Sequence, residues 1–217
     1  MVKLAVFDCD GTLVDSQANI VRAMSDSFER HGLVPPEAHA TRRIVGLSLV
    51  EAMQTLLPDA DAALHDGLAA DYKMAFQRLR AESRLDPEPL YPGIREGLAT
   101  LAERGWLLAV ATGKSDRGLA YLLDHHGLTD RFVSLQTADR HPSKPHPAML
   151  KAALREAGAE AADAVMIGDT VFDMAMGVRA GVRSIGVDWG YHDAHELIAA
   201  GAVSVAATMD ELLKEIA

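Results

Sequence analysis

An apolar strand over residues 2–8 runs straight into two carboxylates: Lys3 to Phe7 reads KLAVF, and Asp8-Cys9-Asp10-Gly11-Thr12 follows. So apolar a strand is buried on both faces, as in a parallel sheet. A carboxylate at its end must be paired, hydrogen-bonded or metal-bound, because an isolated buried charge is too costly to keep. Two carboxylates one residue apart repel, and one pKa rises unless a cation lies between them. Gly11 lets the backbone turn sharply and leaves amides free to face a ligand. A hard cation and an anionic substrate meeting at the C-terminal end of this strand satisfy all of these conditions.

The rest of the chain has two grammars. Residues 16–32, 37–44, 48–57 and 61–82 carry helical spacing, with Pro35-Pro36 and Asp86-Pro87-Glu88-Pro89 as punctuation. From Pro92-Gly93 onward, helices alternate with strands. Helices are expected at 93–104, 115–126, 146–158 and 171–180, and strands at 106–112, 132–136, 164–168 and 182–187. One more helix, a short strand at 203–206 and a final helix at 208–216 complete the pattern. Alternation of this kind predicts an α/β fold with a doubly wound parallel sheet. A small α-helical module is inserted after the first strand. The expected division is an α/β core at 1–15 and 88–217 and a helical cap at 16–87.

Composition narrows the partners. The chain has 217 residues and a formal net charge of -10, with no Lys/Arg block. That excludes the electrostatic footprint of a nucleic-acid binder and requires a local site to hold any anionic substrate. There is no apolar run of membrane-spanning length and no signal-peptide pattern, so a soluble, cytoplasmic protein is expected, monomeric or homodimeric. Cys9 is the one cysteine, read as a buried structural thiol. Met53, Met74, Met174 and Met176 read as core packing. His192 and His195 read as a surface helix start instead of a zinc site.

In an open α/β sheet, ligands bind beyond the carboxyl ends of the strands. The first strand delivers Asp8, Asp10 and Thr12 there. Strand 106–112 delivers Thr112-Gly113-Lys114-Ser115, and strand 164–168 delivers Gly168-Asp169-Thr170, with Asp173 close behind. The stiff loop Pro142-Ser143-Lys144-Pro145-His146-Pro147 presents one lysine. Asp8 and Asp169 are the natural pair for Mg²⁺, which takes one or two carboxylates plus substrate phosphate. Lys144 supplies a point cation for phosphoryl oxygens, and Thr112 with the Gly113 amide supplies donors. Lys114 reads as a solvated or supporting charge. A carboxylate nucleophile with a second acid/base beside it splits phosphoryl transfer into two easier steps.

Asp8-Cys-Asp-Gly-Thr12, Thr112-Gly-Lys114, Ser143-Lys-Pro145 and Gly168-Asp-Thr-Val-Phe-Asp173 together resemble the four motifs of the haloacid dehalogenase superfamily. The run Lys144 to Pro147 and the helical insert resemble its phosphoglycolate-phosphatase-like branch. The resemblance implies a Rossmann-like core with a mobile cap, Asp8 as nucleophile and Asp10 as general acid/base. It implies phosphate binding by Thr112 and Lys144, with Gly11, Thr12 and Gly113 alongside. Mg²⁺ would be held by Asp8, the carbonyl of Asp10 and Asp169, with Asp173 in support. The expected function is therefore a Mg²⁺-dependent phosphatase of a small phosphorylated metabolite, phosphoglycolate-like or a sugar phosphate.

Asp10 argues against dehalogenation, since the superfamily's dehalogenases lack an acid/base aspartate there. Phosphonatases use a cap lysine, and the one candidate, Lys73, reads as solvated. A hexose-phosphate mutase and a phosphate-binding regulatory module stay open as alternatives. Specificity is expected from the cap loop Arg42 to Ser48, where Gly46 permits close approach and Arg43 could meet a second anionic group. The alternative for both arginines is a solvent-facing helix position.

Overall fold

The computed structural model describes residues 2–216. Its sheet comprises β1 (Lys3–Phe7), β2 (Trp106–Thr112), β3 (Ser134–Thr137), β4 (Ala164–Gly168), β5 (Arg183–Val187) and β6 (Ala202–Ala206). The order is β3-β2-β1-β4-β5-β6, every pair parallel. β1 is central, and its residues alternate between two cores. Ala5 and Phe7 join Leu98, Leu108 and Ile167 on one face, whereas Leu4 and Val6 join Met149, Leu150 and Met166 on the other. Both faces being covered explains why the strand reads as an unbroken apolar run. The connections reverse direction between β1 and β4, which is where open sheets of this order place their ligand crevice.

The helices that cross the sheet are α5 (Ile94–Glu103), α6 (Asp116–His125), α7 (Ala148–Ala157), α8 (Val171–Ala180), α9 (Ala194–Ala199) and α10 (Met209–Ile216). Between β1 and α5 lie α1 (Gln17–Arg30), α2 (Ala38–Arg43), α3 (Leu49–Leu56) and α4 (Ala62–Ala81). Of these, α1, α3 and α4 bury a separate cluster that includes Met24, Phe28, Met53 and Leu68. Asp61 starts the longest of them by accepting from the Leu64 amide at 2.8 Å.

The two chain segments that enter and leave this helical insert run side by side. Asp15 N donates to Pro89 O at 2.9 Å and Tyr91 N to Leu13 O at 3.0 Å, with Val14 and Leu90 bridged antiparallel. Asn19 closes the ribbon, donating to Asp86 O and accepting from Asp86 N, each at 2.9 Å.

Two expectations move. The strand expected at 132–136 begins at Ser134, after a 3₁₀ turn at Thr129–Arg131, and the helix expected at 146–158 begins after Pro147, which is its N-cap. Met74 is not core: it is 49% exposed on the outer face of α4. Cys9, Met53, Met174 and Met176 are fully buried. Among the described residues no helix is long and apolar enough to cross a membrane.

Candidate active site

The crevice is built by strand ends. Asp8 follows β1, its amide still paired to Ile167 O of β4 at 2.9 Å. Its carboxylate is 1% exposed. Lys144 Nζ lies 2.8 Å from Asp8 Oδ1 and 2.7 Å from Asp173 Oδ1, itself buried. Apart from that ammonium, neither Asp8 oxygen has a hydrogen-bond partner. Asp169, fully buried after β4, accepts from Thr12 Oγ1 at 2.7 Å and from Tyr191 N at 3.0 Å. Asp173 is bound on its other oxygen by the Thr170 hydroxyl at 2.7 Å and amide at 3.2 Å, the capping box of α8.

Three buried carboxylates around one ammonium leave the cluster with two surplus negative charges when all are ionised. The ligand oxygens of Asp8, Asp169 and Asp173 lie within 4.8 Å of one another. Burial pushes the Asp8 carboxyl up to about 7, against the pull of Lys144, with Asp173 adding to the rise. Asp169 is pushed well above the carboxylate range by burial, then by Asp8 and Asp173. Burial opposes the charge on Lys144, but Asp173 and Asp8 more than offset it and hold the ammonium charged. A hard divalent cation fits this donor set: it matches the surplus charge and gives the unpartnered oxygens of Asp8 a partner.

Asp10 has a different environment. Its Oδ1 accepts from Lys114 Nζ at 2.7 Å and from the Ser16 hydroxyl. Lys114 is therefore an ion-pair partner of Asp10 and not a solvated charge, its side chain only 14% exposed. Thr112 Oγ1, at the end of β2, accepts from the Lys114 amide at 3.2 Å. The insert loop presses on this rim. A Cβ on Gly113 would lie 2.7 Å from Leu47 O, and Gly46, at φ +100°, faces Thr170 and Phe172.

Gly11, at φ +84°, sits against Asp169, whose carboxylate a Cβ would overlap. Gly11→Ala is expected to cost about 1–3 kcal/mol of stability. It should also abolish any thermal stabilisation by added Mg²⁺, read as midpoint against ion concentration. An unchanged Mg²⁺ shift would refute the close-approach role.

Asp8, Asp10, Thr112, Gly113, Lys114 and Gly46 line one cavity of about 450 Å³ between the sheet and the insert. Arg43 does not join them. Its guanidinium is bidentate on Glu196 at 2.6 and 2.7 Å, outside the cavity. The last turn of α2 abuts the start of α9, so Glu196 is its counter-charge, and that hydrogen bond holds Glu196 well below the usual range. The segment 192–195 is a helix start, with Asp193 and Glu196 forming a capping box, but His192 is not on the surface. It is 3% exposed, with Nε2 at 3.2 Å from Arg43 O and Nδ1 accepting from Val171 N at 3.3 Å.

Ser16, Trp189 and Tyr191 went unpredicted. Trp189 Nε1 donates to Thr12 O at 3.1 Å, and Tyr191 lies over Gly11. Both follow β5, so the strand-end rule, extended to that strand, would have found them.

Residues 5–187 match the family described as haloacid dehalogenase-like hydrolase. "Probable phosphatase IndB" of Dickeya dadantii is 36% identical over 98% of this chain and 93% of its own length. A phosphoglycolate phosphatase of Chromobacterium violaceum is 32% identical over 98% and 97%. A crystal structure described as a predicted phosphatase from Clostridium acetobutylicum, 26% identical, superposes with a TM-score of 0.88 over 100% of this chain and 99% of that one. The chain belongs to the haloacid dehalogenase-like hydrolases. Within that family it is phosphoglycolate-phosphatase-like, as the Lys144–Pro147 run and the helical insert imply.

Proposed function

We propose that this hydrolase is a Mg²⁺-dependent phosphatase that cleaves a small phosphorylated metabolite through an aspartyl-phosphate on Asp8. The observation that carries this reading is the buried Asp8 carboxylate, unpartnered except for Lys144, at the floor of a cavity. Asp8 attacks phosphorus as the bond to the leaving oxygen breaks, and Asp10 donates a proton to that oxygen. Asp10 then takes a proton from the water that cleaves the acyl phosphate, returning both carboxyls to their starting states. Lys144 and Thr112, with the Gly113 amide, hold the transferring oxygens. Asp8, Asp169 and the Asp10 carbonyl are the groups that would hold Mg²⁺, whose charge favours the incoming phosphate; Asp173 orients Lys144. The insert acts as a cap whose closure excludes water from the acyl phosphate.

The test is phosphate release from p-nitrophenyl phosphate and a metabolite panel with and without Mg²⁺. Turnover independent of Mg²⁺ would refute the proposal. A hexose 1-phosphate included in the panel should yield free phosphate; its 6-phosphate isomer as product would point to a mutase.

Asp10→Asn is expected to lower kcat for alkyl phosphates by about 10²–10⁴-fold. With p-nitrophenyl phosphate the leaving group needs little acid assistance, so a phosphoenzyme should accumulate, seen as a burst of nitrophenol and a mass increment. Absence of the burst would remove Asp10 from the second half-reaction.

A further inference from the structure

The cavity has a floor that handles a phosphoryl group and a wall that nothing so far explains. Ala69, Tyr72, Phe76 and Arg80 recur at three- and four-residue steps along α4, and all four line it. The Tyr72 and Phe76 rings pair with centroids 5.2 Å apart. Ile20 and Met24, one turn apart on α1, continue the apolar surface. With the phosphoryl group fixed at Asp8, the esterified alcohol has this wall as its surroundings. At about 450 Å³ the space falls in the range of about 300–1,000 Å³ typical for drug-sized ligands, more than a two-carbon acid fills.

Most cations near the cavity are engaged or point away, and Arg117, exposed at the rim, is the one lining cation with neither an ion pair nor a ring contact among the described residues. Arg43 is held outside by Glu196. Lys73 is 52% exposed and 3.9 Å from Asp139. The Arg80 guanidinium stacks on the Tyr121 ring, 3.9 Å from its centroid, and the Glu88 carboxylate also lines the cavity.

We infer that the preferred substrate is the phosphomonoester of an uncharged, ring-bearing alcohol, its ring seated against Tyr72, Phe76, Met24 and Ile20. This inference rests on the phosphatase reading for the position of the phosphoryl group. It sets the substrate apart from the two-carbon acid named for several relatives.

The experiment compares kcat/KM of the intact protein with Mg²⁺ on benzyl phosphate, ethyl phosphate and phosphoglycolate. Benzyl alcohol and ethanol are of similar acidity, so their difference reports binding of the ring. Benzyl phosphate should exceed ethyl phosphate by about 10- to 100-fold, mainly through KM, as burial of an aromatic ring predicts. Phosphoglycolate should be no better than ethyl phosphate. Phe76→Ala should cut the benzyl-to-ethyl ratio about tenfold and Phe76→Leu, which keeps an apolar side chain, by less. Calorimetric titration with benzylphosphonate and methylphosphonate reads the same preference without turnover. Tighter binding of benzylphosphonate with no ester hydrolysed would sink the phosphatase reading and leave the ring preference standing. Equal binding of the two phosphonates, or phosphoglycolate as the better substrate, would overturn the inference.

Discussion

Asp8→Asn is expected to reduce phosphate release by at least about 10⁴-fold and, at the same time, to stabilise the metal-free protein above pH 7. The first effect follows from removing the proposed nucleophile. The second follows from charge. In the folded protein burial lifts the Asp8 carboxyl to about 7 from an ordinary 3.8. The folded state therefore binds more protons than the unfolded state between those values. Its stability falls as pH rises through that window, and the full penalty is present above about 7. Asparagine does not titrate, so the variant escapes the penalty while Lys144 keeps its 2.7 Å partner Asp173. The gain should be of order 2 kcal/mol at pH 8 and absent near pH 4, measured by denaturant titration in chelator. Added Mg²⁺ should narrow the gap by stabilising the wild type alone. A variant no more stable than wild type at pH 8 would mean that Asp8 carries no such burden.

Lys144→Met has the largest expected effect on folding. Among the described residues, the lysine is the one cation in contact with Asp8 and Asp173, 2.8 Å from the first and 2.7 Å from the second. Methionine matches its volume but leaves those charges uncompensated, which costs about 3–5 kcal/mol for a broken buried pair. At about 2–4 °C per kcal/mol for a chain of this length, the midpoint should drop by roughly 6–20 °C at pH 8. Protonation of the orphaned carboxyls relieves the repulsion, so the deficit should shrink as pH is lowered toward 5. Equal losses at pH 5 and pH 8 would assign the effect to packing instead of charge.

What the sequence disclosed is what a parallel sheet forces into local pattern. Leu4 to Phe7 must be apolar because both faces are covered, so the polar residues that follow mark the strand's end, and the same holds for Thr112 and Asp169. The helix limits were legible because Asp61, Ser115 and Thr170 cap where hydrophobic spacing begins. What stayed hidden are pairings between side chains far apart in the chain. Arg43 meets Glu196 and Lys114 meets Asp10, and no local spacing encodes either contact. Arg43 therefore read as either a substrate contact or a solvent-facing helix residue, and Lys114 as a solvated or supporting charge without its partner. The aromatic stripe of α4 was there to be read at helical steps, but which face turned inward depended on where the insert sits on the sheet; Met74, on the opposite face, shows the ambiguity.

The paired ribbon joining the insert to the sheet carries a mechanical consequence. Because Leu13 to Asp15 and Pro89 to Tyr91 are bonded to each other, the insert hangs from a single axis and not from two independent tethers. Ser16, whose hydroxyl holds the Asp10 carboxylate, stands on that axis. In the proposed function, an insert that swings open on this axis turns the residue that grips Asp10, which couples admission of substrate to alignment of the proposed acid.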